Sequence, residues 1–102
     1  MNITPGEVEI VLEEIDEVMM AFVVGVTNRD RGQDVVAAVV PKSGREIDIS
    51  QLIPLLGKAL ASYKVPRHIL IIADPTGLPW LVSGKVDRRA LQGRLEQQFG
   101  LG

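Results

Sequence analysis

Cysteine is absent from the 102-residue sequence, which removes disulfide scaffolds, thiolate zinc sites and thiol nucleophiles at once. Histidine is nearly absent: His68 stands alone, too few imidazoles for an ordinary zinc centre, so no resident metal is expected. Aromatic side chains make up only 4% of the chain. A stacking surface for single-stranded nucleic acid needs more of them and a basic surface besides, whereas the pI is about 5.3, so no nucleic-acid partner is expected. Long apolar runs are missing as well. The longest, Val18 to Val26, is nine residues, well short of a bilayer-crossing helix, and no basic segment with a signal-like apolar core opens the sequence. These absences predict a soluble, cytoplasmic protein without a membrane span.

Hydrophobic residues at 46% and charged residues at 24% are near globular averages, and the length suits one domain with one core. Charge is unevenly spread. Residues 1–50 carry ten acids against four bases, and residues 51–102 carry three against seven. An anion would therefore bind in the second half, although solvated surface charge gives the same counts.

Thr4-Pro5-Gly6-Glu7 has the form of a capping box with proline at the first helical position, which predicts a helix start. Val8, Val11, Leu12 and Ile15 then form one apolar stripe and leave Glu7, Glu9, Glu13 and Glu14 mostly outside. The runs Val18 to Val26 and Val35 to Val40 are too continuous for half-exposed strands and read as strands covered on both faces. Between them lies the polar segment Asn28 to Gly32, whose glycine can take a positive φ, so the two strands are expected to pair antiparallel. A second helix is signalled by Asp48 as N-cap and by Leu52, Leu55, Leu56, Ala59, Leu60 and Tyr63 at helical spacing. Pro54 removes a backbone donor beyond the first turn, which leaves the regular start open between Asp48 and Pro54. His68 to Ala73 reads as a third strand, parallel to the second after a right-handed crossover. Asp74 to Lys85 is a loop, and Asp87 caps a last helix with the stripe Leu91, Leu95 and Phe99, and Gly100 near its end. The expected fold is α+β: a small mixed sheet of about three main strands, an antiparallel pair plus one after a crossover helix, covered by helices on both faces, with a C-terminal loop-helix.

One lysine stands out by its surroundings. Lys85 follows the flexible pair Ser83-Gly84 and comes two residues before a predicted helix N-terminus, where backbone N–H groups and the dipole favour anions. A compact charge on a long stem suits contact with oxygens of several groups, and Arg88 and Arg89 are expected to add positive potential. An ordinary solvated turn lysine has the same local sequence. A Walker A phosphate loop is excluded, because Gly77 and Gly84 enclose six residues, too many for that motif, and Val86 replaces its Ser or Thr. Tyr63-Lys64-Val65-Pro66-Arg67 is a second basic cluster at a helix exit. His68 reads as structural, and Trp80 as a packed loop anchor.

In this order the segments resemble the C-terminal subdomain of the adenylate-forming superfamily: acyl-CoA synthetases, peptide-synthetase adenylation domains and luciferases. The likeness covers essentially the whole chain. Asn2 to Glu9 is similar to the end of the family's hinge-proximal motif, and Val24-Gly25-Val26 with Arg31 to Ala37 to its first strand pair. Tyr63 to Arg67 is similar to the Tyr-Lys-x-Pro-Arg segment, and Leu78-Pro79 with Ser83-Gly84-Lys85-Val86-Asp87-Arg88-Arg89 to the terminal lysine motif.

The resemblance implies two steps. A carboxylate, fatty or aryl, attacks the α-phosphate of ATP to give an acyl-adenylate and pyrophosphate, with Mg2+ accompanying the ATP; then the thiol of CoA displaces AMP. Lys85 matches the catalytic lysine of the first step, with Ser83 and Gly84 beside the nucleotide. Lys64 and Arg67 match a segment near the CoA nucleotide, presented after the subdomain rotates. The implied partner is the large N-terminal domain of the same enzyme, which holds ATP and the acid; residues 1–102 are expected to form the single lid domain, without that large domain and inert alone. Three departures bear on this: Asn28 where Asp is usual, Val65 where some relatives have Arg, and Trp80-Leu81 where polar residues are usual. Two alternatives stay open, the lid of an adenylation domain loading a carrier-protein thiol, and a stand-alone α/β ligand-binding or interaction module with its own pocket.

Overall fold

A computed structural model describes residues 5–30 and 32–101; Thr4 of the capping box, Asn2 and Ile3 of the hinge-proximal motif, and Arg31 lie outside them. Helix α1 (Pro5–Glu13) buries Val8 and Leu12 completely, with Val11 and Ile15 packed beside them, as the stripe predicts. Strands β1 (Val18–Asn28) and β2 (Gly32–Pro41) pair antiparallel, with Val24 opposite Val36 and Asn28 opposite Gly32. Gly32 takes φ +84 at the turn, a conformation that costs glycine little. Strand β3 (His68–Ile71) is shorter than the six-residue run in the sequence and pairs parallel to β2, giving the order β1-β2-β3. The sheet is therefore mixed, and β2 is its centre. That position explains the apolar continuity of the second run, since Val35 to Val40 have both faces covered and are 0% exposed.

Alternate residues of the strands feed two cores. Val23, Val35, Ala37 and Val39 face α1 and helix α2 (Ile49–Ala59) and meet Leu52, Leu56 and Leu60. Val24, Val36, Ala38 and Val40 face helix α3 (Arg88–Phe99) and meet Leu91, Leu95, Leu78 and Val86. Both sheet faces are thus covered by helices, as expected. Among the described residues no helix is long and apolar enough to cross a membrane.

Local chemistry settles one open point and departs from expectation at two. Helix α2 begins directly after Asp48 and not near Pro54: the Asp48 side chain accepts from Ser50 N, and its carbonyl accepts from both Gln51 N and Leu52 N. Those bonds satisfy the first turn, so only the donor that proline lacks is missing. Leu55 and Tyr63, expected on the buried stripe, are 51% and 44% exposed; the helix stops at Ala59, and Tyr63 belongs to a separate 3-10 turn, Ser62–Lys64. Glu9, expected outside, turns back onto the sheet, where its Oε2 accepts from Val23 N at 2.7 Å, while Glu13 accepts from Ala21 N at 3.2 Å. At the far end, Gly100 closes α3 in the left-handed region, and the His68 ring stacks on Phe99 at 4.8 Å, which gives His68 its structural role.

Candidate functional site

The loop between β3 and α3 is built from short local bonds. Asp74 caps a 3-10 turn, Pro75–Gly77, through Thr76 N and Oγ1, and these bonds hold its carboxyl below the usual value. Beyond it the chain doubles back as a small hairpin. Asp87 N donates to Pro79 O at 2.8 Å, Trp80 pairs with Val86, and Leu81 N donates to Lys85 O at 2.8 Å. Gly84 N closes the turn on Leu81 O at 3.0 Å, with Gly84 at φ +90, which a side chain would resist. Ser83, Gly84 and Lys85 thus lie together at the tip and shoulder of one hairpin. Trp80 anchors its base, as the sequence suggests: Nε1 donates to Pro75 O at 2.7 Å, and the ring stands edge-on to Phe22 at 6.2 Å.

The Lys85 side chain is exposed, and no acidic side chain among the described residues pairs with it. It borders a shallow apolar shelf formed by Phe22, Trp80, Leu81 and Val86, with Arg88 at the margin. Two expectations about its surroundings fail. Arg88 adds little free positive potential, because its guanidinium is bound to both carboxylate oxygens of Glu9, at 2.7 and 3.2 Å, and to Val23 O at 3.2 Å. The hydrogen bond to Glu9 holds the pKa of the Arg88 guanidinium above its ordinary value. The first turn of α3 is also less open to an anion than expected, since Asp87 accepts from Ala90 N and its own carboxylate already faces the helix dipole. With Arg88 committed to Glu9, a charge bound here would be met by Lys85, and of the two arginines only Arg89, exposed on the first turn of α3, has no ion pair among the described residues.

The second basic segment lies elsewhere. Val65 packs into the α1/α2 core and Val86 into the α3 core, so Lys64 and Lys85 belong to segments on opposite faces of the sheet. Lys64 Nζ is gripped by both Glu7 oxygens, at 2.8 and 2.9 Å, and this pairing raises its pKa. Arg67 Nε sits 3.8 Å from the buried Asp34, with half of its side chain exposed. Asp34 also accepts from Asn28 Nδ2 at 2.9 Å, which accounts for asparagine at that position: an aspartate there would face Asp34 with no proton to give. No contact among the described residues joins Lys64 or Arg67 to the Lys85 hairpin.

Residues 7–85 match the family described as AMP-binding enzyme C-terminal domain. The chain belongs to that family. This AMP-binding enzyme C-terminal domain is 35% identical over 100 residues to a mitochondrial medium-chain acyl-CoA ligase of Danio rerio, covering 98% of this chain and 16% of that protein. It is 36% identical to an indoleacetate–CoA ligase of Aromatoleum aromaticum over 83% of this chain and 16% of that protein. Among solved structures it is similar to the amide bond synthetase McbA of Marinactinospora thermotolerans, with TM-score 0.82 and 33% identity over 91% of this chain and 18% of that one. The domain thus spans about a sixth of the length of the curated relatives it matches, 16% in each of these two. The family resemblance read from the motifs is borne out, and so is the α+β fold. The tie between Glu9 and Arg88 escaped the sequence, because its partners are 79 residues apart and no local pattern pairs them.

Proposed function

We propose that this domain is the lid of an ATP-dependent acyl-CoA ligase and that Lys85 acts in the first half-reaction, formation of the acyl-adenylate. A single observation carries the reading: Lys85 is an exposed cation beside a hairpin turn, with no acidic partner among the described residues. Fixed charge of this kind stabilises the transition state when it faces the oxygens on which negative charge develops. In the proposed step the carboxylate oxygen bonds to the α-phosphorus and pyrophosphate leaves, while Lys85 Nζ donates to the carboxylate and phosphate oxygens, with Ser83 and Gly84 against the nucleotide. ATP and the acid sit on a large domain of the same enzyme. Magnesium belongs with the ATP there, as no group of three His, Asp or Glu side chains among the described residues fits a metal ion.

In the second step the CoA thiol attacks the acyl carbon and AMP leaves. Lys64 and Arg67, on the other face of the sheet, are then the residues offered to the CoA nucleotide, which requires the lid to turn between steps. Of the two, Arg67 is the better candidate, since Lys64 would first have to leave Glu7. That commitment, together with the uncharged Val65 and the likeness to an amide bond synthetase, favours as a second reading an acceptor other than CoA, either a carrier-protein thiol or an amine.

In the complete ligase, Lys85→Ala should slow ATP–pyrophosphate exchange by about 100- to 1,000-fold, and thioester formation from supplied acyl-adenylate should persist. Equal loss in both half-reactions overturns the assignment. The 102-residue chain alone should show no exchange with any carboxylic acid. Offering the acyl-adenylate CoA, a phosphopantetheinylated carrier protein and amines in parallel separates the three acceptors.

A further inference from the structure

We propose that Trp80 is the positioning residue for Lys85, clamping the lysine hairpin onto the preceding turn and β1. The inference rests on Lys85 acting in adenylate formation. The hairpin has few bonds of its own: Asp87 N to Pro79 O, Leu81 N to Lys85 O, and the turn bond from Gly84 N to Leu81 O. Two-stranded hairpins of this size are marginal in water without outside support, and a catalytic charge needs its carrier held to within a fraction of an ångström. Leu81 to Lys85 are all exposed. Support must therefore come through Val86, which enters the α3 core, and through Trp80 opposite it.

The indole is fixed at two points although 41% of the residue is exposed. Nε1 donates to Pro75 O at 2.7 Å, and the ring meets Phe22 edge-on, at 6.2 Å and 88°. Phe22 in turn lies under the Arg88 guanidinium, 5.9 Å from Cζ, and Arg88 is bound by Glu9. A continuous line of contacts thus runs from α1 through Arg88, Phe22 and Trp80 to the strand that carries Lys85. An indole whose N–H is bonded and whose ring packs perpendicular to Phe22 is committed to holding position, and its cross-strand partner Val86 is the immediate neighbour of Lys85. This explains tryptophan where the family's pattern has a polar residue: here the hairpin is anchored by an aromatic contact to the sheet.

The test uses the complete ligase carrying this lid. Trp80→Ala should lower kcat for ATP–pyrophosphate exchange by roughly 10- to 100-fold, with KM for ATP and acid near wild type and with thioester formation from supplied acyl-adenylate retained. Trp80→Phe keeps a ring against Phe22 and should recover most of the rate, and Phe22→Leu should give the same kcat-only defect as Trp80→Ala. In the chain itself, which has one tryptophan, Phe22→Leu should shift the indole emission to the red and increase acrylamide quenching. Unchanged exchange in Trp80→Ala overturns the proposal. So does a rise in KM for the acid with kcat intact, which would make Trp80 a substrate contact, or equal slowing of both half-reactions, which would make its role general. If Lys85→Ala itself leaves exchange intact, the Lys85 assignment has failed and the proposal falls with it.

Discussion

Alanine at Gly84 and alanine at Gly93 are the same chemical change with opposite expected signs. At Gly84, φ is +90 and a Cβ would meet no heavy atom within 4 Å, so the penalty is local backbone sterics alone. For an L-residue in the left-handed region that is about 1–2 kcal/mol, offset by about 0.4–1 kcal/mol from stiffening the unfolded chain. A net loss of about 1 kcal/mol remains. Gly93 lies inside α3, again with nothing within 4 Å of an added Cβ, and there alanine should gain about 0.5–1 kcal/mol. About 1 kcal/mol moves the unfolding midpoint of a domain this size by about 4–8 °C. Calorimetry should therefore show Tm falling for Gly84→Ala and rising for Gly93→Ala. Part of the Gly84 cost will be relieved by local opening of the hairpin, which amide hydrogen exchange at Leu81 and Gly84 reads directly. A Gly84→Ala chain as stable as wild type, with those amides equally protected, refutes the turn geometry on which the presentation of Lys85 depends.

Four further outcomes follow from packing and charge. Leu56 is 0% exposed and Leu55 51%, so in urea titrations Leu56→Ala should cost about 2–5 kcal/mol and Leu55→Ala at most about 0.5 kcal/mol; equal losses would contradict the orientation of α2. Glu9→Ala strips the acceptor from Val23 N and Arg88 and should cost about 1–3 kcal/mol. Arg88→Ala should add little once Glu9 is gone, and full additivity in that double-mutant cycle would deny the coupling. The Lys64 pKa is raised above 10.5 by Glu7; its contribution is fully present below the unfolded value and is lost as pH rises through the folded one. Lys64→Met should accordingly flatten the alkaline limb of the stability profile. Asp48 has the opposite sign, its pKa lowered below 3.8 by bonds from Ser50, so its contribution is lost as pH falls through the folded value, and Asp48→Asn should flatten the acid limb. An alkaline limb that Lys64→Met leaves unchanged argues against the Glu7 pairing.

What could be read from the sequence was local. The continuous apolar runs Val18 to Val26 and Val35 to Val40 marked two strands with both faces covered, without telling which of them is central, and Gly32, Asp48 and Asp87 marked a turn and two helix starts through backbone needs that neighbouring residues reveal. The lysine motif located the hairpin, since Ser83, Gly84 and Lys85 are contiguous. Helical spacing, in contrast, could not tell which of Leu55 and Leu56 meets the sheet, because both fit an apolar stripe although adjacent helical residues point about 100° apart. Pairings between distant segments were also hidden. Nothing in the neighbourhood of Lys64 reveals that Glu7, 57 residues away, holds it, and nothing beside Arg88 reveals that Glu9 stands in front of it.

The glutamates of α1 that close on β1 have a further consequence for the chain in solution. A sheet edge with free N–H groups is a template on which another strand can assemble, and β1, eleven mostly apolar residues long, is an edge strand. Its N–H groups at Ala21 and Val23 are occupied by Glu13 and Glu9. An incoming strand would have to displace ionised carboxylates, which accept hydrogen bonds and have none to donate. The edge is thus blocked by a helix whose apolar side is already committed to the core, and losing both carboxylates would free Arg88 and at the same time expose the longest strand to copies of the chain.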